Sequence, residues 1–199
     1  NFTPLKDTQS GEVYAEKGFS IIIEDEDPEK CGVLCGKMDL GVVSETDEKY
    51  VMDHKTTKNK LTSSYFDSFN PNNQVMTYLF AASVLWDEPP RGFIVNAICT
   101  HEWKRGSAEE KEAKYFSRIR IDKSPAQITQ RLAQIKQQFK EINTKLKNGF
   151  DAFTMNAPQA CNQYFKRCMF SPLCVAQTQE MVNLLARSAY TKHKWTPYE

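Results

Sequence analysis

No apolar run in these 199 residues approaches the roughly 18 that a membrane-crossing helix needs. That excludes a helical span within them. Cysteine is sparse: six residues in a chain of this length do not make a disulfide scaffold. Charge of one sign is also lacking. Lys and Arg number 26 against 25 Asp and Glu, a net +1, so any contact with a polyanion must come from local basic clusters. There is no internal repeat and no low-complexity tract. What remains is 40% hydrophobic and 26% charged, an ordinary globular composition, long enough for one domain with a single core. The first residue is Asn1 and not Met, so a further segment is expected upstream. No signal-peptide pattern opens the chain, which makes reduced thiols in an intracellular, cytoplasmic setting the expectation.

Residues 19–23 read as a strand and the acidic, proline-containing stretch 24–30 as its turn. Residues 33–43 and 50–53 read as two more strands, joined by the polar loop 44–49 in an antiparallel meander. Asn72 and Asn73 precede an apolar helix over 74–86, which Pro89 and Pro90 stop. A buried strand is expected over 92–100, a solvated charged loop over 104–114 and a returning strand over 115–121. Ser124 and Pro125 start a helix that runs to about 148, with Ile128, Leu132, Ile135, Phe139, Ile142 and Leu146 on one face. Arg131, Lys136, Lys140, Lys145 and Lys147 fall on the other, expected to be solvated. A last helix over 176–188 precedes a basic, aromatic tail. The order of elements indicates an α/β fold, a central mixed sheet flanked by helices, and not a doubly wound sheet. Residues 1–150 are expected to form the core, and 151–199 a cysteine-containing segment and helix packed on it.

Chemistry concentrates in Gly36-Lys37-Met38-Asp39-Leu40 and, across one hairpin, Tyr50-Val51-Met52-Asp53-His54-Lys55-Thr56-Thr57. Asp39 lies inside an otherwise apolar strand, where an ionised carboxylate is costly unless paired or bound to metal. Asp53 and Lys55 are two apart, so on a strand they share a face, and hairpin pairing brings Asp39 within reach. Two carboxylates and an ammonium then converge. Such a set can hold Mg²⁺ or Mn²⁺ and offset charge on a phosphate undergoing hydrolysis. The plainer alternative is that both aspartates cap strand ends and pair with Lys55 or Lys37.

The series Gly36-Lys37-Met38-Asp39, then Asp53-His54-Lys55-Thr56-Thr57 after two apolar residues, then Gln74 and Tyr78, resembles the motifs of the PD-(D/E)XK nucleases. Within them it most resembles the RecB-like branch, which includes CRISPR-adaptation exonucleases and phage homologues. Asn72-Asn73-Gln74 and the stretch 118–125 before a long helix extend the likeness over nearly the whole chain. The resemblance implies a restriction-endonuclease-like core and a DNA nuclease, an exonuclease acting on ends or single strands, in DNA repair or recombination. It implies metal binding by Asp39, Asp53 and the His54 carbonyl, catalysis by Lys55, and Gln74 and Tyr78 facing the site. Other expectations remain open: a structure-specific endonuclease, or an inactive nucleic-acid-binding or assembly module. Protein partners in a DNA-processing complex are a further possibility; a membrane partner is not expected.

Glu16, shortly before the first strand, is a candidate further ligand, with a solvated surface glutamate as the alternative. Cys31, Cys35 and Cys99 lie in or beside apolar strands and are expected to be buried. Cys161, Cys168 and Cys174 fall near the C-terminus, where many RecB-like nucleases hold a [4Fe–4S] cluster with three late cysteines and one upstream. The gap of five matches that pattern and the gap of six departs from it. Three thiols packed by Phe165, Met169, Phe170 and Leu173 are the alternative, and a zinc site is a third.

Overall fold

The computed structural model describes residues 1–102, 107–149, 152, 161–163 and 166–197. The chain divides into two compact units, Asn1–Glu141 and Ile142–Pro197.

The first unit is built on a six-stranded sheet of β1 (Phe2–Pro4), β2 (Ala15–Ile23), β3 (Gly32–Ser44), β4 (Lys49–Thr57), β5 (Gly92–Cys99) and β6 (Phe116–Asp122). The order is β1-β3-β4-β5-β6, with β2 also paired to β3. Only β4 and β5 run parallel, so the sheet is mixed. The acidic turn between β2 and β3 is a single 3₁₀ turn, Pro28–Lys30, capped by the Asp27 carboxylate, which accepts from the Glu29 N–H. A parallel pair needs a crossover, supplied by α1 (Ser63–Asp67) and α2 (Asn73–Leu85). Asn72 caps α2, its side chain accepting from the Gln74 and Val75 N–H groups.

Sequence periodicity puts Val51 of β4, Phe93 and Val95 of β5 and Ile121 of β6 on one face, and these join Leu79 and Phe80 of α2 in the main core. Val42, Tyr50, Met52 and Ile94 form a smaller cluster on the other face, with Phe2 and Leu40 against it.

Four departures from the sequence reading have physical causes. Where a loop was expected over 104–114, α3 (Ala108–Tyr115) forms, started by a reciprocal capping box between Ser107 and Glu110; residues 103–106 lie outside the described residues. Helix α4 (Pro125–Lys147) packs Ile128, Leu132, Ile135 and Phe139 on the core, but Ile142 and Leu146 stay 48% and 63% exposed. The apolar stripe outruns the surface it covers. The cationic face is not simply solvated either. Arg131 is only 8% exposed and donates to Thr77 Oγ1 at 3.1 Å, while Lys136 and Lys140 pair with Asp25 and Asp27 at 2.9 and 3.1 Å. Of the three strand cysteines Cys99 is buried, Cys31 half-buried and Cys35 exposed, because Cys35 falls on the open side of β3.

The second unit contains a hairpin, β7 (Asn162–Gln163) with β8 (Lys166–Arg167), then α5 (Ser171–Cys174) and α6 (Gln179–Ala189). Thr178 caps α6, which moves the start of the last helix from 176 to 179. Among the described residues no helix is long and apolar enough to cross a membrane.

Ile135→Ala should cost about 2–4 kcal/mol in urea unfolding, whereas Leu146→Ala, on the same sequence stripe, should cost less than about 1 kcal/mol. Equal losses would place Leu146 in the core.

Candidate active site

Strands β3 and β4 pair from Val43–Lys49 to Leu40–Met52 and then part. One step further, Asp39 and Asp53 would face each other. Instead of a backbone carbonyl, the Asp39 carboxylate takes the next N–H: His54 donates to Asp39 Oδ2 at 3.0 Å. Met38 packs in the main core and Leu40, two residues on, in the cluster on the opposite face. The chain therefore turns over at Asp39. The partner strand is distorted at the same level: Ala15–Leu40 and Lys17–Met38 bracket Glu16 opposite Asp39, and Glu16 has φ of 48°. A positive φ is unusual for a non-glycine residue and marks local strain.

Asp53 is 1% exposed on the core face of β4, among the largest fully buried side chains. Its Oδ2 has the Lys55 ammonium at 2.5 Å, an ion pair, yet no hydrogen bond of proper geometry. Burial pushes the Asp53 carboxyl above the usual carboxylate range; the Lys55 ammonium pulls it down, and the Asp39 carboxylate pushes it up again. The net direction is upward, with burial the largest cause.

Lys55 also donates to Gln74 Oε1 at 3.1 Å, and Gln74 Nε2 donates to Tyr78 Oη at 3.4 Å. Gln74 and Tyr78 lie one turn apart on α2, so both reach the same neighbour. The Tyr78 ring meets Phe19 edge-on at 6.3 Å, and Phe19 lies across from Gly36, where a Cβ would sit 2.5 Å from its ring. Gly36 thus makes room for the aromatic contact under Tyr78. The structure brings together Asp39, Asp53, His54, Lys55, Gln74 and Tyr78.

Other residues of the site are not apparent in the sequence. On the opposite face of the sheet His54, Asn96 and Arg118 stand in one row across β4, β5 and β6. Arg118 Nε donates to Asn96 Oδ1 at 3.0 Å, which turns the amide so that Nδ2 donates to His54 Nδ1 at 2.8 Å. His54 Nδ1 is then the acceptor, and the row fixes the peptide whose N–H holds Asp39. The available signal was Asn96, a polar residue in an otherwise apolar strand. Tyr65 of α1 feels both charges of the pair: burial pushes its hydroxyl up, Lys55 opposes this and Asp53 adds to it. Its helix is too short to read from periodicity.

Glu16 lies within β2 and not before it, and its largely exposed carboxylate turns to Lys37 at 3.7 Å. Among the described residues no group of three or more His, Cys, Asp or Glu converges on a point. Of the late cysteines, Cys161 and Cys168 are neighbours across the hairpin, where the Cys168 N–H donates to the Cys161 carbonyl at 2.8 Å.

The profile of the PD-(D/E)XK nuclease superfamily matches residues 6–175. The chain belongs to that superfamily. No curated protein matches the sequence. The mixed sheet with its flanking helices is the restriction-endonuclease-like fold of the PD-(D/E)XK nucleases. Membership makes nucleic acid the substrate class, phosphodiester cleavage the reaction class and a divalent metal the cofactor class. The residues present fit such an ion. A buried carboxylate, partnered by one ammonium, lies close enough to a second carboxylate to feel its charge, and Mg²⁺ takes one or two carboxylates and keeps several waters.

The raised Asp53 carboxyl fixes a pH dependence. As pH rises above the ordinary aspartate range the unfolded chain loses this proton first, so metal-free stability falls until the folded carboxyl ionises as well. Asp53→Asn has no proton to lose. In EDTA it should match wild type near pH 4 and melt higher than wild type by pH 7. A variant that melts lower at pH 7 would show the Lys55 pair to be net stabilising.

Proposed function

We propose that the protein is a Mg²⁺- or Mn²⁺-dependent deoxyribonuclease, an exonuclease of the RecB-like branch that acts on DNA ends or single strands. The observation that supports this most is the buried Asp53 carboxylate, paired with Lys55 and close enough to Asp39 to feel its charge. Asp39, Asp53 and the His54 main-chain carbonyl would hold the ion, which when bound polarises the phosphate and lowers the pKa of a bound water. Asp39 is set for this by the His54 N–H on one of its oxygens, which leaves the other for the metal. Lys55 donates its remaining protons toward the attacking water and the phosphate, offsetting charge as it builds. Gln74 orients Lys55 and is itself steadied by Tyr78. Neither takes a place in the metal shell. The iron–sulfur cluster has no converged ligand set among the described residues, and the proposal is built on the divalent ion alone.

Lys55→Ala should lower cleavage of linear DNA by more than about a hundredfold with the fold intact, as loss of a group that stabilises developing charge does. Near wild-type turnover in Mg²⁺ or Mn²⁺ would remove Lys55 from the mechanism. Gln74→Ala should reduce turnover and leave Mn²⁺ affinity unchanged in calorimetry; a large loss of metal binding would contradict its positioning role. Linear DNA should be degraded while covalently closed circles survive, and nicking or linearising of the circles would favour an endonuclease.

A further inference from the structure

The second unit carries a charge pattern that the active site does not use. Residues 142–199 hold seven of the chain's Lys and Arg but only three of its Asp and Glu, a balance of +4 against −3 for residues 1–141. The near-neutral total hides this asymmetry. Among the described residues no ion pair engages Lys166, Arg167, Arg187, Lys192 or Lys194.

Aromatic side chains are interleaved with these cations. The β7–β8 hairpin ends on Lys166 and Arg167, both exposed, and leads into Phe170, half of whose surface is open. Tyr190, the first residue after α6, stacks on Phe170 with ring centres 5.6 Å apart and planes 21° from parallel. Its hydroxyl donates to the Met169 carbonyl at 2.7 Å. These contacts hold the start of the tail beside the hairpin. The tail then presents Lys192, His193, Lys194 and Trp195, all exposed, with 60% of Trp195 open.

We propose that this hairpin-and-tail surface binds a single strand of DNA, with Arg167, Lys192 and Lys194 taking phosphates and Phe170 and Trp195 stacking on bases. Exposed aromatics alternating with cations, of which Arg167 is steadied by donating Nε to Ser171 Oγ at 2.7 Å, suit a polynucleotide whose bases are free to stack. A duplex hides its base faces, and the same surface on a second copy of the chain would meet like charge. The inference rests on DNA as the substrate of the site in the first unit.

The test is fluorescence anisotropy of a labelled oligothymidylate with the full chain in EDTA, over a range of KCl. Lys192→Gln/Lys194→Gln should weaken binding and lower the slope of log affinity against log salt by about 1.4, since each phosphate contact on a single strand contributes about 0.7. Trp195→Ala should weaken binding about tenfold and leave that slope unchanged, as loss of one stacked base would. Wild-type affinity and slope in both variants, with melting curves equal to wild type, would overturn the proposal. So would a Trp195→Ala variant that binds DNA normally but loses self-association in sedimentation, which would mark a protein interface. EDTA prevents turnover, so failure here leaves the nuclease reading standing. A wild type that binds the oligonucleotide yet never cleaves DNA with Mg²⁺ or Mn²⁺ would overturn that reading alone.

Discussion

A carboxylate on the buried face of a sheet is expensive, because water that would solvate it is replaced by apolar neighbours. Asp53 sits there beside Val51, on the face that carries the main core, and one ammonium does not satisfy it. The surrounding structure is arranged around this deficit. Strands β3 and β4 stop pairing next to it, Asp39 turns over to bring a second carboxylate close, and α2 supplies an amide that holds Lys55 in line. Each of these would be a defect in a purely structural sheet. On the proposed function, together they leave a place for a doubly charged cation, and local strain at Glu16 is tolerated where the sheet opens.

Most of this was legible in the sequence because polar residues stood where the strand pattern demanded apolar ones. Asp39 and Asp53 interrupt apolar runs, Lys55 follows at a period of two, and Gln74 and Tyr78 at a period of four, so each periodicity assigns a shared face. What the pattern does not give is where a partner surface ends. Ile142 and Leu146 continue the stripe of α4 after the packed part of it has finished, and Arg131 is buried although it falls among cations. Helix α3 was missed because its residues are nearly all charged or small; its one clear signal was Ser107 three residues before Glu110. The side chain of Glu16 cannot be placed from sequence, since a positive φ redirects it.

The back of the sheet steadies the Asp39 carboxylate from the face opposite Lys55. Arg118, Asn96 and His54 link three strands on the face away from Lys55, and the last of them carries the peptide that holds Asp39. The second unit adds a different kind of asymmetry, in which charge is separated along the chain and not within the core.

The central claim is that Asp39 and Asp53 together bind the divalent ion, and Mn²⁺ titration followed by electron paramagnetic resonance tests it without reliance on turnover. Wild type should take up Mn²⁺ with loss of the free-ion signal, and Asp39→Asn and Asp53→Asn should each weaken that uptake by more than about tenfold. Unchanged Mn²⁺ affinity in both variants would place the ion elsewhere and contradict the account.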